Sequence, residues 1–275
     1  MNSSSLLHRS SLGLPSLGLA LCATLCTSLM AGCDFDSDLA DRTTARVVVD
    51  GASVVTTDND MGYRVELSRC RVAIDTLELT TDGQMHASLL DPFWDLAIPN
   101  AYAHPGHEGG GEVVGELAGR HVFDWRDDGA LVGEATLLAA NYSGANFSFT
   151  RARLGDGIPA DDPIIGHTFE IVGTATLDDE RWEFTVLLDQ DEGRRVVGLP
   201  LELDVDGSPN EDFELGLQLL VDDPIEQDTL FDGIDFALLD DDGDHVIVIE
   251  PDTEAYNRLR RNTQAHDHYG VVIHP

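Results

Sequence analysis

The chain has 275 residues, with 51 Asp and Glu residues against 16 Arg, no Lys, and a formal net charge of −35 at pH 7. So acidic a protein repels nucleic acids and anionic lipid head groups, which excludes both as expected direct partners. The length is sufficient to bury a substantial core without disulfides or structural metal ions.

The first 32 residues have the composition of an export signal. Arg9 precedes a stretch rich in Leu, Ala, Ser and Gly over residues 12–31, and no acidic residue occurs before Cys33. The small residues before this cysteine, in Met30-Ala31-Gly32-Cys33, resemble the lipobox of bacterial lipoproteins. The resemblance implies a signal peptide over residues 1–32, lipidation of Cys33, and a protein anchored to a membrane of the bacterial cell envelope, facing the periplasm or the exterior. The alternative is an ordinary secretory signal that is cleaved near the same position.

Cleavage before Cys33 changes both the cysteine count and the charge. Cys22 and Cys26 leave with the signal and Cys33 carries the lipid, so Cys70 is the one remaining thiol. This excludes an internal disulfide and a cysteine-based zinc site. One Arg and no carboxylate are removed, so the formal net charge becomes −36.

Residues 33–44 are polar and acidic, and we interpret them as a tether to a single β-rich domain over residues 45–275. Apolar residues alternate with polar ones along most of this domain, which predicts antiparallel strands with one wet face. The expected fold is an all-β antiparallel β-sandwich, or an open barrel, of roughly ten strands. Besides the long strand considered next, strands are predicted near 84–90, 120–125, 133–140, 145–153, 166–177, 181–188, 195–205, 212–221, 244–250 and 268–273.

One predicted strand has an irregular pattern. Apolar residues recur at every second position over residues 63–79, with two exceptions. These are the steps from Leu67 to Cys70 and from Ile74 to Leu77. An odd step moves the apolar face to the other side unless a bulge or bend intervenes. The pattern therefore predicts one long strand with two bulges, or a strand that crosses from one sheet to another.

A short helix is predicted near the C-terminus, over residues 252–263. Pro251-Asp252-Thr253-Glu254 supplies an acidic first turn, and Tyr256 and Leu259 are at helical spacing. A helical turn near 225–230 is a second candidate.

The least ordinary segment of the mature chain reads Ala-Tyr-Ala-His-Pro-Gly-His-Glu-Gly-Gly-Gly-Glu and ends at Glu112. Pro105-Gly106 suits the centre of a type II turn, which places the Cα atoms of His104 and His107 within about 7 Å. Two imidazoles so placed, with the carboxylates of Glu108 and Glu112, predict a site for a borderline metal: copper first, then zinc or nickel. The alternative is a solvated turn whose histidines bind nothing.

Such a site needs further ligands, and the C-terminal segment is a second source. On an extended segment His266 and His268 face the same way, so both could serve one site. The alternative is a polar C-terminus without a ligand.

Two acidic loops, Asp240–Asp244 and Asp204–Asp212, resemble calcium loops at first sight. Neither has the ligand spacing of an EF-hand, so we interpret both as turns between strands, with weak calcium binding as a further option. The sequence has no nucleophile elbow, phosphate-binding loop, dinucleotide fingerprint or His-Glu-x-x-His motif, so an enzyme is not expected. Cys70 lies between two arginines, but in a strand it is expected to be a core residue.

Several segments together carry a resemblance to known families. The order of lipobox, strand-rich body, Ala-His-Pro-Gly-His over residues 103–107, Phe-Asp-Gly-Ile-Asp-Phe over 231–236 and Ala-Tyr-Asn over 255–257 looks like uncharacterised predicted lipoproteins of bacteria. The β-rich exported body with sparse histidines is more distantly similar to methanobactin-associated copper-binding proteins. The Ala-His-Pro-Gly-His run is also similar to the exported start of some nickel-linked hydrogenase and urease accessory membrane proteins. None of these resemblances supplies a ligand set.

The predicted function is that of a lipid-anchored extracytoplasmic protein that binds a borderline transition metal, with copper favoured. The alternative is a structural or adhesive envelope module whose loops bind protein, glycan or calcium.

Overall fold

The computed structural model describes residues 42–54, 56–81, 111–207, 213–223 and 226–275. In these ranges the protein is all-β with a short C-terminal helix, which confirms the expected fold class. The strands are β1 (Arg42–Asp50), β2 (Thr56–Asp58), β3 (Arg64–Thr81), β4 (Glu112–Asp124), β5 (Leu131–Leu138), β6 (Ala140–Phe149), β7 (Phe169–Leu177), β8 (Glu180–Leu188), β9 (Arg195–Val205), β10 (Glu214–Leu219), β11 (Val246–Ile249) and β12 (Tyr269–His274). The helices are α1 (Phe236–Leu239) and α2 (Glu254–Asn262), with a 3-10 turn at His266–His268.

The twelve strands form one mixed sheet. Its main path runs β11-β8-β7-β3-β4-β5-β1-β10-β12, while β2 and β6 also pair with β3, and β9 pairs with β6. Neighbouring strands are antiparallel except for two parallel pairs, β1 with β10 and β8 with β11. The parallel pairs differ from the antiparallel sheet that alternation predicts, because alternation reports which face is buried and not which strand lies alongside.

The 18-residue strand β3 joins the two parts of the sheet. Its first half pairs with β2 and β7, and its second half pairs with β4 and β6. The ladder registers shift between Leu67 and Arg69 and between Asp75 and Leu77. These shifts fall at the two odd steps of the sequence pattern, so the prediction of a long strand with two bulges is confirmed.

The sheet folds back on itself around one large core. Along β8, Trp182 and Phe184 are buried while Arg181 and Glu183 are exposed, as expected for a strand with one wet face. The ring of Tyr269 on β12 lies 5.2 Å from Phe147 and 6.2 Å from Phe149 on β6, between ring centroids. Edge strand β12 therefore packs against β6, the strand that pairs with the second half of β3.

Helix α2 follows its sequence signals. The hydroxyl of Thr253 accepts a hydrogen bond from the backbone N–H of Tyr256 at 3.2 Å, which caps the helix. Tyr256 and Leu259 are buried against the sheet, and Thr263 ends the helix. The predicted helix over 252–263 is thus confirmed with slightly narrower bounds.

Some boundaries differ from the expectations. Strand β1 begins at Arg42, so residues 42–44, which we assigned to the tether, pair with β5. Residues 226–230, the described part of the second helical candidate, form no helical turn, and Thr229 makes an isolated β-bridge with Asp222. The short helix α1 was not expected. The strand predicted near 84–90 lies outside the described residues.

Candidate functional site

Most of the predicted histidine site lies outside the described residues. This applies to His104, His107 and Glu108, and to Cys33, the predicted lipidation residue. Glu112 is described and is the first residue of β4, directly opposite Thr81 at the end of β3. Its side chain is exposed. The sheet therefore fixes the backbone of one predicted carboxylate ligand and leaves its oxygens accessible.

A groove of about 290 Å³ lies beside this strand end. Its lining residues belong to β1, β4 and β5, where β4 and β5 pair at only two positions. Val113, Val114 and Leu138 supply apolar walls, and Arg42 and Glu116 supply one charge of each sign. The groove is thus mainly apolar and contains no cluster of metal ligands among its lining residues.

The second predicted ligand pair has a different geometry from the expected one. His266 and His268 lie in a 3-10 turn, where successive residues are rotated by about 120°. Residues two apart in such a turn point in different directions, so the two histidines do not share a face. The physical reason is that the chain reverses here between α2 and β12, which leaves no extended segment.

His268 is a core residue. Its ring is 1 % exposed, and Nδ1 lies 2.8 Å from the carbonyl oxygen of Leu220. Its Nε2 lies 4.0 Å from a carboxylate oxygen of Asp228. Burial raises the pKa of Asp228, and the nearby carboxylates of Asp267 and Asp223 raise it further, while His268 lowers it. This histidine is therefore packed in the core, with one ring nitrogen at a backbone carbonyl and the other near a carboxylate.

The acidic turn Asp240–Asp244 brings three carboxylates together. One oxygen each from Asp240, Asp242 and Asp244 lie within 4.8 Å of one another, the spacing that a bound cation requires. The carboxylate of Asp240 is largely buried and accepts hydrogen bonds from Trp182 Nε1 at 3.1 Å and from the backbone N–H of Gly243 at 3.1 Å. Asp242 and Asp244 are exposed. Oxygen ligands of this kind suit a hard cation such as Ca²⁺.

The sequence carries a signal for this cluster. Asp residues at alternate positions match the first ligands of many calcium loops, yet Gly243 lies too early for an EF-hand. Here the turn bends through Gly243 at φ +73° and His245 at φ +62°, which brings the alternate side chains together without the EF-hand register.

Cys70 is a buried thiol in β3. Burial raises its pKa far above the ordinary value, and the adjacent carboxylate of Asp124 raises it further. Arg69 and Arg71 do not activate it, because both side chains pair with Glu170. The expectation that Cys70 is a core residue is therefore confirmed.

Comparison of the chain with protein-family models, with curated proteins and with solved structures finds no match. Within the described ranges, the structure has no helix with the length and apolar character needed to cross a bilayer.

Proposed function

We propose that this chain is a lipid-anchored protein of the bacterial cell envelope that binds a borderline transition metal, copper first and zinc or nickel next. The observation that carries the proposal is the His104-Pro105-Gly106-His107 sequence, because a Pro-Gly turn brings two neutral imidazoles to one point. Glu108 and Glu112 complete a proposed set of two nitrogen and two oxygen ligands.

The position of Glu112 supports this ligand set. Its backbone is held opposite Thr81 in the β3–β4 ladder, and its side chain is exposed. Because the backbone is already ordered on a strand, metal binding has to restrict only the Glu112 side chain, which favours binding.

Three of the described histidines already contact other groups, which favours a site within the histidine segment. His268 is buried against Leu220, as given above. The two ring nitrogens of His121 lie 3.1 and 3.2 Å from backbone carbonyl oxygens, and Nδ1 of His167 lies 2.9 Å from Asp189. Because these rings have other partners, the segment itself is the proposed source of the ligands.

Electron paramagnetic resonance of the Cu(II)-loaded mature protein tests the ligand set. Two coordinated imidazoles should give nitrogen hyperfine structure that is reduced in both His104→Ala and His107→Ala. Glu112→Gln should change the spectrum while both nitrogens remain. A spectrum without coordinated nitrogen in the unmodified protein would contradict the proposal.

The anchor has its own test. Acylation of Cys33 attaches enough hydrocarbon for stable membrane residence, where a single chain is marginal. Cys33→Ser should therefore release the protein from the membrane fraction or leave the precursor uncleaved. Unchanged fractionation together with an unchanged mature mass would refute lipidation.

A second candidate function is a structural envelope module that binds calcium, and the cluster of Asp240, Asp242 and Asp244 favours it. Calcium binding should raise the melting temperature beyond the effect of NaCl at the same ionic strength, because the ion binds the native state. Asp242→Asn with Asp244→Asn should abolish this extra rise. Asp241→Asn is the matched control, since it removes one charge from the same turn but lies outside the cluster. An equal response in the control and the double variant would count against this site.

A further inference from the structure

Strand β11 is an edge of the sheet. It pairs in parallel with β8, and within the described part of the chain no strand pairs with its other edge. The backbone N–H of Glu183 donates to the carbonyl of His245 at 2.9 Å. In a parallel ladder, the backbone N–H and C=O groups of every second residue bond to the same neighbouring strand. The backbone groups of Ile247 therefore point toward β8, and those of Val246 and Val248 point toward the open edge. The N–H of Val246 on this edge donates to the carboxylate of Asp244 at 2.8 Å. The open edge therefore offers the carbonyl of Val246 and both backbone groups of Val248 to another strand.

The outer face of this edge is apolar. Val246 is 57 % exposed and Val248 is 62 % exposed, whereas Ile247 and Ile249 are buried. Leu238, on the adjoining helix α1, is 76 % exposed. Exposed apolar side chains on an open strand edge favour strand pairing, and the chain has no lysine with which to discourage it.

Acidic residues surround this apolar edge. Residues 236–257 contain seven carboxylates and no arginine. Asp241, Asp242 and Asp244 are exposed before the strand, and Glu250 and Asp252 are exposed after it. A second copy of the chain would bring the same carboxylates against their equivalents, which opposes self-association. The complementary partner carries positive charge.

We propose that the β11 edge binds an extended basic segment of a partner protein by strand addition. The partner's backbone pairs with the carbonyl of Val246 and with the N–H and carbonyl of Val248. Its apolar side chains contact the two valines, and its Lys or Arg side chains pair with the flanking carboxylates. With only four residues in the strand, much of the affinity is electrostatic, so binding is weak at high salt. This inference does not depend on the metal site proposed above.

Fluorescence anisotropy with a labelled peptide of about nine alternating Lys and Val residues tests the charge and the strand requirement. The full mature protein should bind this peptide saturably at about 50 mM NaCl and much more weakly at about 300 mM. A peptide of alternating Glu and Val should not bind. A Lys-Val peptide with a central Pro should bind at least about tenfold more weakly, because Pro cannot complete the ladder. Equal binding of the Pro-containing peptide would overturn strand addition.

Variants of the protein locate the site. Val248→Pro removes an N–H that the β8 ladder does not use. Val248→Lys introduces a positive charge that repels the basic peptide at the same position. Each should weaken peptide binding at least about tenfold. Leu154→Lys is the matched control, since Leu154 is also an exposed apolar residue but lies in a loop far along the chain from β11. If Val248→Lys lowers the affinity no more than Leu154→Lys, the peptide binds non-specifically to the negatively charged surface of the protein, and the proposed edge site is wrong.

Discussion

Thr81 and Glu112 lie directly opposite each other at the end of the β3–β4 ladder. These two residues flank the segment from 82 to 111, which includes His104 and His107, so the residues before and after this segment are neighbours in the sheet. The pairing of Thr81 with Glu112 restricts where the proposed ligands can meet, because it fixes the two ends of the segment that contains them.

A substitution of Gly111 tests the end of the β3–β4 ladder without altering a proposed ligand. It has φ +55°, and an added Cβ would lie 2.8 Å from Thr80 Cβ and closer still to the backbone oxygen of Thr81. Gly111→Ala should therefore destabilise the protein by more than the ~1–2 kcal/mol that the left-handed conformation costs alone. Gly129→Ala, at φ +74° with open space around it, is the control for the conformational cost. Chemical denaturation measures both, and equal losses would show that the ladder end tolerates the side chain.

Asn59 holds two distant segments together. Its buried amide nitrogen donates to the carbonyls of Phe231 at 3.1 Å and Ile234 at 2.9 Å, and its oxygen accepts from the backbone N–H of Tyr63 at 2.9 Å. Asn59→Asp replaces the donor by an oxygen that faces two carbonyl oxygens. The free energy of unfolding should fall by about 2–4 kcal/mol at pH 7. The same change at exposed Asn257 should have almost no effect, and equal effects would refute this assignment.

Arg71 is at the centre of a largely buried ion-pair network. Its Nε donates to Glu170 at 2.6 Å and its Nη1 to Asp162 at 2.7 Å, and the Glu170 side chain is only 3 % exposed. Arg71→Leu should cost about 3–5 kcal/mol, because it leaves the largely buried carboxylate of Asp162 without its cation and leaves Glu170 with Arg69 alone. Arg258→Leu, which breaks an exposed pair with Glu254, should cost less than about 0.5 kcal/mol.

The same network predicts a pH dependence. Hydrogen bonds from Arg71 hold the pKa of Asp162 below its ordinary value. The Asp162–Arg71 pair therefore contributes fully to stability above the pKa of Asp162 in the unfolded chain, about 4. This contribution is lost as the pH falls through the lower pKa of Asp162 in the folded protein. The difference in unfolding free energy between the unmodified protein and Asp162→Asn should be constant above about pH 5 and should shrink at lower pH. A difference that grows on acidification would contradict the pairing.

The local pattern of the sequence predicted much of the fold. Alternation located most of the strands, and the odd steps at Leu67 and Ile74 located the two bulges of β3 because each step inverts the buried face. Strand β9 was predicted with its observed bounds, 195–205. Strand β1 was not predicted, and the domain boundary was placed at residue 45, since Arg42 and its neighbours are polar and their strand conformation depends on pairing with β5.

Long-range relationships were not predictable in the same way. The parallel pairing of Arg46 with Glu214 joins residues far apart in the chain, and neither segment alone carries a signal for it. The Asn59 amide and the Arg71 network depend on contacts across loops. His268 had the pattern of a ligand, but its burial against Leu220 follows from the turn between α2 and β12.

Calorimetric titration of Cu(II) and Zn(II) into the mature protein and its variants tests the central claim most directly. The unmodified protein and His274→Ala, which removes a partly exposed histidine of β12, should bind one ion with equal affinity. His104→Ala with His107→Ala should bind more than about a hundredfold more weakly, since both nitrogen ligands of the proposed site belong to this pair. Binding by the unmodified protein should also weaken below about pH 6, where imidazole is protonated. Equal affinity of the double variant and the unmodified protein, or no binding by either, would contradict the account.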